Sequence, residues 1–122
     1  MCNRNFLVHL SLLLILLIGH LNCAVFAQAG KVKFGETFTL KPDEAAETED
    51  GKLKVELKGV GRTISESGET EYAELKVWFN KSEQTIIISE RGKASENVGD
   101  YIIKLINAES FGKAHCQLKI SR

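Results

Sequence analysis

The sequence is poor in the residues that usually announce a function. Its 122 residues include one Pro, one Trp, two Tyr and three Cys. It also lacks an excess of either charge: 16 basic and 16 acidic side chains cancel, which argues against a nucleic-acid binder, a class that needs a basic surplus or patch. The length allows one domain and excludes a large multi-domain enzyme. There are no linkers, internal repeats or low-complexity tracts. No long window carries a helical stripe. Residues 43–50 come nearest, and with only Ala45 and Ala46 apolar they predict one turn of helix at most.

What is present is divided unevenly. Residues 1–27 contain Arg4 and no acid, and residues 6–18 form an apolar run interrupted only by His9 and Ser11. Gly19, His20 and Asn22 then break the run, and Val25-Phe26-Ala27 supplies small residues where a signal peptidase reads. A signal peptide over residues 1–27 is therefore expected, cleaved before Gln28, with Ala27-Gln28-Ala29 offering a second site before Gly30. An uncleaved anchor fits less well, because the run falls short of the roughly 20 apolar residues of a spanning helix. Lipid anchoring at Cys23 fits poorly as well, since His20-Leu21-Asn22 is unlike the small residues that precede a lipidated cysteine. Export would leave a domain over 28–122, secreted or periplasmic, with no membrane span. Cys2 and Cys23 would depart with the leader, leaving Cys116 unpaired and the fold dependent on its core.

From residue 28 on, the dominant period is two. Leu53, Val55 and Leu57 alternate with lysines and Glu56. Ala73, Leu75, Val77 and Phe79 alternate with Tyr72, Glu74, Lys76 and Trp78. Tyr101, Ile103 and Leu105 form a third set, and Ala114, Cys116, Leu118 and Ile120 a fourth. Each pattern describes a strand with one buried face. Phe34, Phe38 and Leu40 mark an earlier strand that Pro42 ends. Ile86-Ile87-Ile88 predicts a short strand covered on both sides. Gly59 and Gly61 close the second strand, followed by a loop over 61–70 with a turn at Ser65-Glu66-Ser67-Gly68. Asn80-Lys81-Ser82 is a tight hairpin connection, residues 91–99 are a polar loop, and Gly112 separates the last two strands. The expected fold is all-β: a small antiparallel β-sandwich or partly closed barrel of six or seven strands.

Two resemblances follow from particular residues. Asn97-Val98-Gly99-Asp100-Tyr101 is similar to the Asp-x-Gly-x-Tyr corner of intermediate-set immunoglobulin domains, and Asn107, Gly112, Leu118 and Ile120 continue at immunoglobulin-like spacing. Trp78 would then be a candidate for the core tryptophan. The resemblance covers the last third only. Trp78 and Tyr101 lie 23 positions apart, too little chain for the strands such a domain places between them. The disulfide positions would fall near Gly59 and Ile103, and Trp78 alternates with the apolar face instead of joining it. The second resemblance runs from Phe34 to Val60, through Phe34-Gly35-Glu36-Thr37-Phe38-Thr39-Leu40-Lys41-Pro42 and Glu44-Ala45-Ala46. It is to small exported bacterial β-sandwich domains without assigned activity. Many of those carry a cysteine pair and a Trp-Ala-Gly segment where this chain has residues 61–72 and no cysteine, so no role for that segment carries over.

Candidate sites are few. His115 and Cys116 are neighbours, but adjacent strand residues point to opposite faces and cannot share one ion from one side. After the leader there is one His, one Cys and no Met, too few soft ligands for copper or zinc, and no cofactor is expected. The acidic run of Asp43, Glu44, Glu47, Glu49 and Asp50 lacks EF-hand spacing and is read as a solvated face. Glu66, Glu69, Glu71 and Glu74 are read in the same way. Asn80-Lys81-Ser82 matches a glycosylation sequon, but a hairpin turn explains it. The remaining candidates are Tyr72 and Trp78, which share a strand face with Glu74, Lys76 and Asn80. Aromatics among charges suit a binding surface, although a Trp covering the sandwich edge is the plainer reading. The expected function is therefore a non-catalytic, exported binding or envelope-associated module. Its partner would be another envelope or extracellular protein. The alternatives are a protease inhibitor acting through the loops at 61–70 and 91–99, and a small metal-binding protein.

Overall fold

Alternating side chains force the chain into strands with one wet and one dry face, and two such sheets hide their dry faces against each other. Residues 30–122 are described by the computed structural model. The expected leader, with Cys2, Cys23 and the cleavage positions before Gln28 and Gly30, lies outside the described residues. Nine strands follow in order: β1 (Gly30–Val32), β2 (Thr37–Leu40), β3 (Ala45–Thr48), β4 (Leu53–Ser65), β5 (Gly68–Phe79), β6 (Ser82–Ser89), β7 (Ser95–Val98), β8 (Tyr101–Glu109) and β9 (His115–Ser121). One sheet has the order β1-β3-β4-β5-β6 and the other β2-β9-β8-β7. They form an open sandwich, not a barrel. All pairs are antiparallel except β1 with β3, which run parallel.

The core follows the predicted parity. Leu53, Val55, Leu57, Leu75, Val77, Ile103 and Leu118 are fully enclosed between the sheets, with Ile88, Cys116 and Ile120 beside them. Both sheets and this core lie within residues 30–122, which therefore carry what an independent folding unit needs. One corner is ordered by aromatic rings. Tyr101 stacks on Phe34 with centroids 5.9 Å apart and meets Phe79 edge-on at 5.6 Å.

Turn chemistry sets the hairpins. Asn80 and Lys81 both take positive φ, 52° and 63°, the type I′ geometry of a two-residue hairpin between β5 and β6. Gly99 has φ of 58° between the paired residues Val98 and Tyr101, and a Cβ there would press on the Phe79 ring.

Four expectations are corrected. Residues 43–50 hold strand β3, not a helical turn: Ala46 and Thr48 face the core, and pairing to β4 outweighs local preference. The span 61–70 is not a loop. β4 runs on to Ser65 and β5 starts at Gly68, so only the tip is a turn. Gly59 sits at a β-bulge after Leu57, and Gly61 lies beneath the Tyr72 ring, which occupies the space a side chain would need. Ile86 and Ile88 are buried, but Ile87 is 57% exposed, because β6 is an edge strand with nothing over its outer face. The polar stretch 91–99 contains strand β7. The short strands β1, β3 and β7 carry too few apolar side chains to show a period, and the run from Phe34 to Leu40 is a turn at Gly35 followed by the equally short β2.

Candidate functional site

The outer face of the five-stranded sheet carries both sequence-predicted residues. Strand pairing lines up Lys31, Glu47, Lys54, Trp78 and Glu83 as one row across all five strands. Charge alternates along this row and Trp78 interrupts it. The next row is Ala45, Glu56, Lys76 and Thr85; beyond it come Glu74 with Ile87, then Gly61, Tyr72 and Ser89.

Trp78 is half-buried, yet it owes that to the outer face and not to the core. The Lys54 ammonium lies 4.9 Å from its ring centroid and that of Lys76 5.3 Å. Both are within cation–π range. Its indole Nε1 donates to Glu83 Oε2 at 3.1 Å, and Glu83 Oε1 pairs with Lys76 Nζ at 2.8 Å. Glu83 is held below the ordinary carboxylate range chiefly by the hydrogen bond from Lys76, which is itself raised by the same bond. A rigid aromatic ring is thus fixed by one carboxylate and two ammonium groups on a solvent-facing sheet. Lys76 was placed on this face by parity, two residues before Trp78 on the same strand. Lys54 and Glu83 were not singled out from the sequence, because they lie on neighbouring strands and only the register shows them beside Trp78.

Tyr72 shares this face, two rows beyond Lys76. Six residues at a strand rise of roughly 3.3 Å put it about 20 Å from Trp78, so the two rings do not form one cluster. Tyr72 lies flat enough over Gly61 to exclude a side chain there.

A second constellation closes one end of the sandwich. Arg62 Nη1 donates to Glu69 at 2.8 Å and Nη2 to Glu71 at 3.1 Å, with its guanidinium 3.9 Å from the centre of the exposed Phe111 ring. Glu71 also accepts from the Ser110 amide and hydroxyl, at 3.2 Å and 2.8 Å. Burial pushes the Glu71 carboxyl up, but the Ser110 and Arg62 contacts together outweigh it and leave it lowered. Glu90 accepts from the Ala108 amide at 2.9 Å. These carboxylates bind the chain to itself: they tie β4, β5 and β6 to the other sheet.

Cys116 and His115 point to opposite faces. The Cys116 thiol is pushed up to about 12 by burial, where it is neither a nucleophile nor a ready ligand. His115 Nδ1 lies 2.8 Å from the Lys113 carbonyl. The acidic run is dispersed rather than gathered: Glu47 pairs with Lys31, Glu44 accepts from the Lys41 amide, and Asp50 turns to Thr48 and Tyr101. Among the described residues, no three His, Cys, Asp or Glu side chains converge as metal ligands, and no helix is long and apolar enough to cross a membrane. The tip of the β4–β5 hairpin and the β6–β7 connection lie together, with the Arg91 amide donating to the Thr70 hydroxyl at 3.2 Å and its guanidinium to the Ser67 carbonyl at 3.5 Å.

No protein-family model, curated protein or solved structure matches the chain.

Proposed function

We propose that this chain is an exported, non-catalytic β-sandwich that binds another envelope or extracellular protein through the outer face of its five-stranded sheet. Trp78 is the anchor and Tyr72 an outlying contact. One observation carries the reading: the only Trp sits on the wet face of a central strand, immobilised by Lys54, Lys76 and Glu83, over a core that is complete without it. A ring ordered in advance loses little freedom on binding, which is what makes Trp effective at interfaces. The leader anatomy supports export to the periplasm or beyond. The likeness of residues 97–101 to an immunoglobulin corner fits a module of extracellular type. The test is capture from the envelope fraction of the source, with residues 28–122 as bait and Trp78→Ala beside the wild type. The reading requires a partner that the wild type retains and the variant releases.

A second reading, a protease inhibitor working through one end of the sandwich, is favoured by the contact between the hairpin tip and the β6–β7 connection, where Ile64 projects 76% exposed. Inhibition of a protease by the wild type, abolished by Ile64→Asp and untouched by Trp78→Ala, would select it over the first.

A further inference from the structure

Among the described residues the two sheets have four edges, and three of them are short. β1 has three residues and carries Lys31; β2 has four and leads into Lys41-Pro42; β7 has four. Short strands, lysine and proline are the usual means of keeping an edge from pairing with another chain. β6 has none of them. It runs for eight residues, Ser82 to Ser89, without Lys, Arg, Pro or Gly, and pairs with β5 in one unbroken register.

The direction of its free hydrogen-bonding groups can be read from its ends. The Glu90 amide donates to the Glu71 carbonyl on the β5 side, at 3.0 Å, whereas the Ser89 amide turns the other way, to the Lys93 carbonyl, at 2.9 Å. Amides alternate sides along an antiparallel ladder. Gln84, Ile86 and Ile88 therefore bond to β5, and the N–H and C=O groups of Glu83, Thr85 and Ile87 face outward. Among the described residues, no backbone bond outside the ladder involves those three. Their side chains are exposed too, Ile87 by 57%.

We propose that β6 is the interface of a homodimer, in which two copies pair antiparallel along this edge and join their five-stranded sheets into one continuous sheet. The occupant is a second copy because the strand complements itself. A two-fold axis at Thr85 sets Thr85 against its own copy and Glu83 against Ile87, so all three outward residues fall in doubly bonded pairs, about six backbone hydrogen bonds in all. Thr opposite Thr is a favourable cross-strand pair, and no like charges face each other. Lys81 falls opposite Ser89. The two Glu83 side chains stay about 13 Å apart along the strands, beyond the screening length at physiological salt. Sliding the register by two residues is worse in either direction. One way sets Lys81 against Arg91 and Glu83 against Ser89, whose amide is already committed to Lys93. The other way sets Ile87 against Lys81 in the turn. Either slip keeps only two of the three pairs.

The test is sedimentation velocity over a concentration series up to about 1 mM, the range in which weak association appears. It uses residues 28–122, the span that holds both sheets and their core, because the apolar run at 6–18 would associate on its own. The wild type should sediment at twice the chain mass at high concentration. Thr85→Pro deletes an outward N–H without touching the bonds to β5, and Ile87→Glu sets like charges opposite Glu83 in both outer cross-strand pairs; both should remain monomeric with a wild-type circular dichroism spectrum. If the proline variant does not fold, Ile87→Glu decides alone. Amide exchange at Thr85 and Ile87 should slow on dimerisation. A wild type monomeric throughout would overturn the proposal, whether the edge then stays bare or takes a strand from another protein. A dimer that survives Ile87→Glu would overturn it equally.

Discussion

Asp50 shows how much one side chain can organise. It accepts from the Thr48 hydroxyl at 2.6 Å, from the Tyr101 hydroxyl at 2.5 Å and from Arg122 at 3.4 Å. Its carboxyl is pushed down to about 2, first by the Thr48 bond and then by that from Tyr101. A carboxylate whose folded pKa lies below its unfolded value contributes stability above the unfolded pKa and loses it as pH falls through the folded one. The unfolded value is about 4, so this contribution should fade between about pH 4 and pH 2. Acid titration of the unfolding midpoint should show a drop across that window in the wild type and a shallower one in Asp50→Asn. Cys116 makes a different residue-scale prediction. Enclosed by the core, its thiol should resist labelling in the native protein and react on unfolding. Cys116→Ala should cost about 1 kcal/mol, as a small cavity does. The sequence showed Cys116 as buried because its strand alternates cleanly. It did not show Asp50, because Tyr101 is 51 positions away and only the fold brings them together.

Elements were legible in proportion to their length and burial. β4, β5, β8 and β9 each carry at least three apolar side chains at period two, so their inward faces follow from the sequence alone. β6 was misread on one side, since three consecutive isoleucines look the same whether the strand is central or at an edge. The extension of β4 past Gly59 and Gly61 was hidden by residues that normally end a strand. There the glycines accommodate a bulge and the Tyr72 ring. Turn glycines are equally specific. Gly99 needs positive φ, and a side chain on it would strike Phe79, which in turn packs on Tyr101. Gly99→Ala should therefore destabilise by about 1–3 kcal/mol in denaturant unfolding. An unchanged midpoint would mean that the β7–β8 turn relaxes freely. The edge strand adds the prediction of a dimer broken by Ile87→Glu.

At the scale of the whole molecule, the sandwich separates two tasks. Its interior supplies stability without a disulfide among the described residues, and under the proposed function one outer face contacts a partner. The sequence placed Tyr72 and Trp78 on that face by parity. It could not place Lys54 or Glu83 beside Trp78, because those contacts depend on the register of three strands. The six-residue spacing on one strand already separates Tyr72 from Trp78 by about 20 Å along β5. If β6 pairs two copies, both Trp78 rings lie on one continuous surface, and a partner with repeated sites would gain from engaging both.

The measurement that tests the central claim most directly is the affinity of Trp78→Ala for the partner captured by the wild type, read beside the variant's unfolding free energy. Truncating an interface Trp should weaken binding by roughly 2 kcal/mol, about thirtyfold, while stability changes by no more than about 1 kcal/mol. Unchanged affinity would remove Trp78 from the interface. A stability loss of roughly 3–5 kcal/mol would make it part of the core and contradict the binding face altogether.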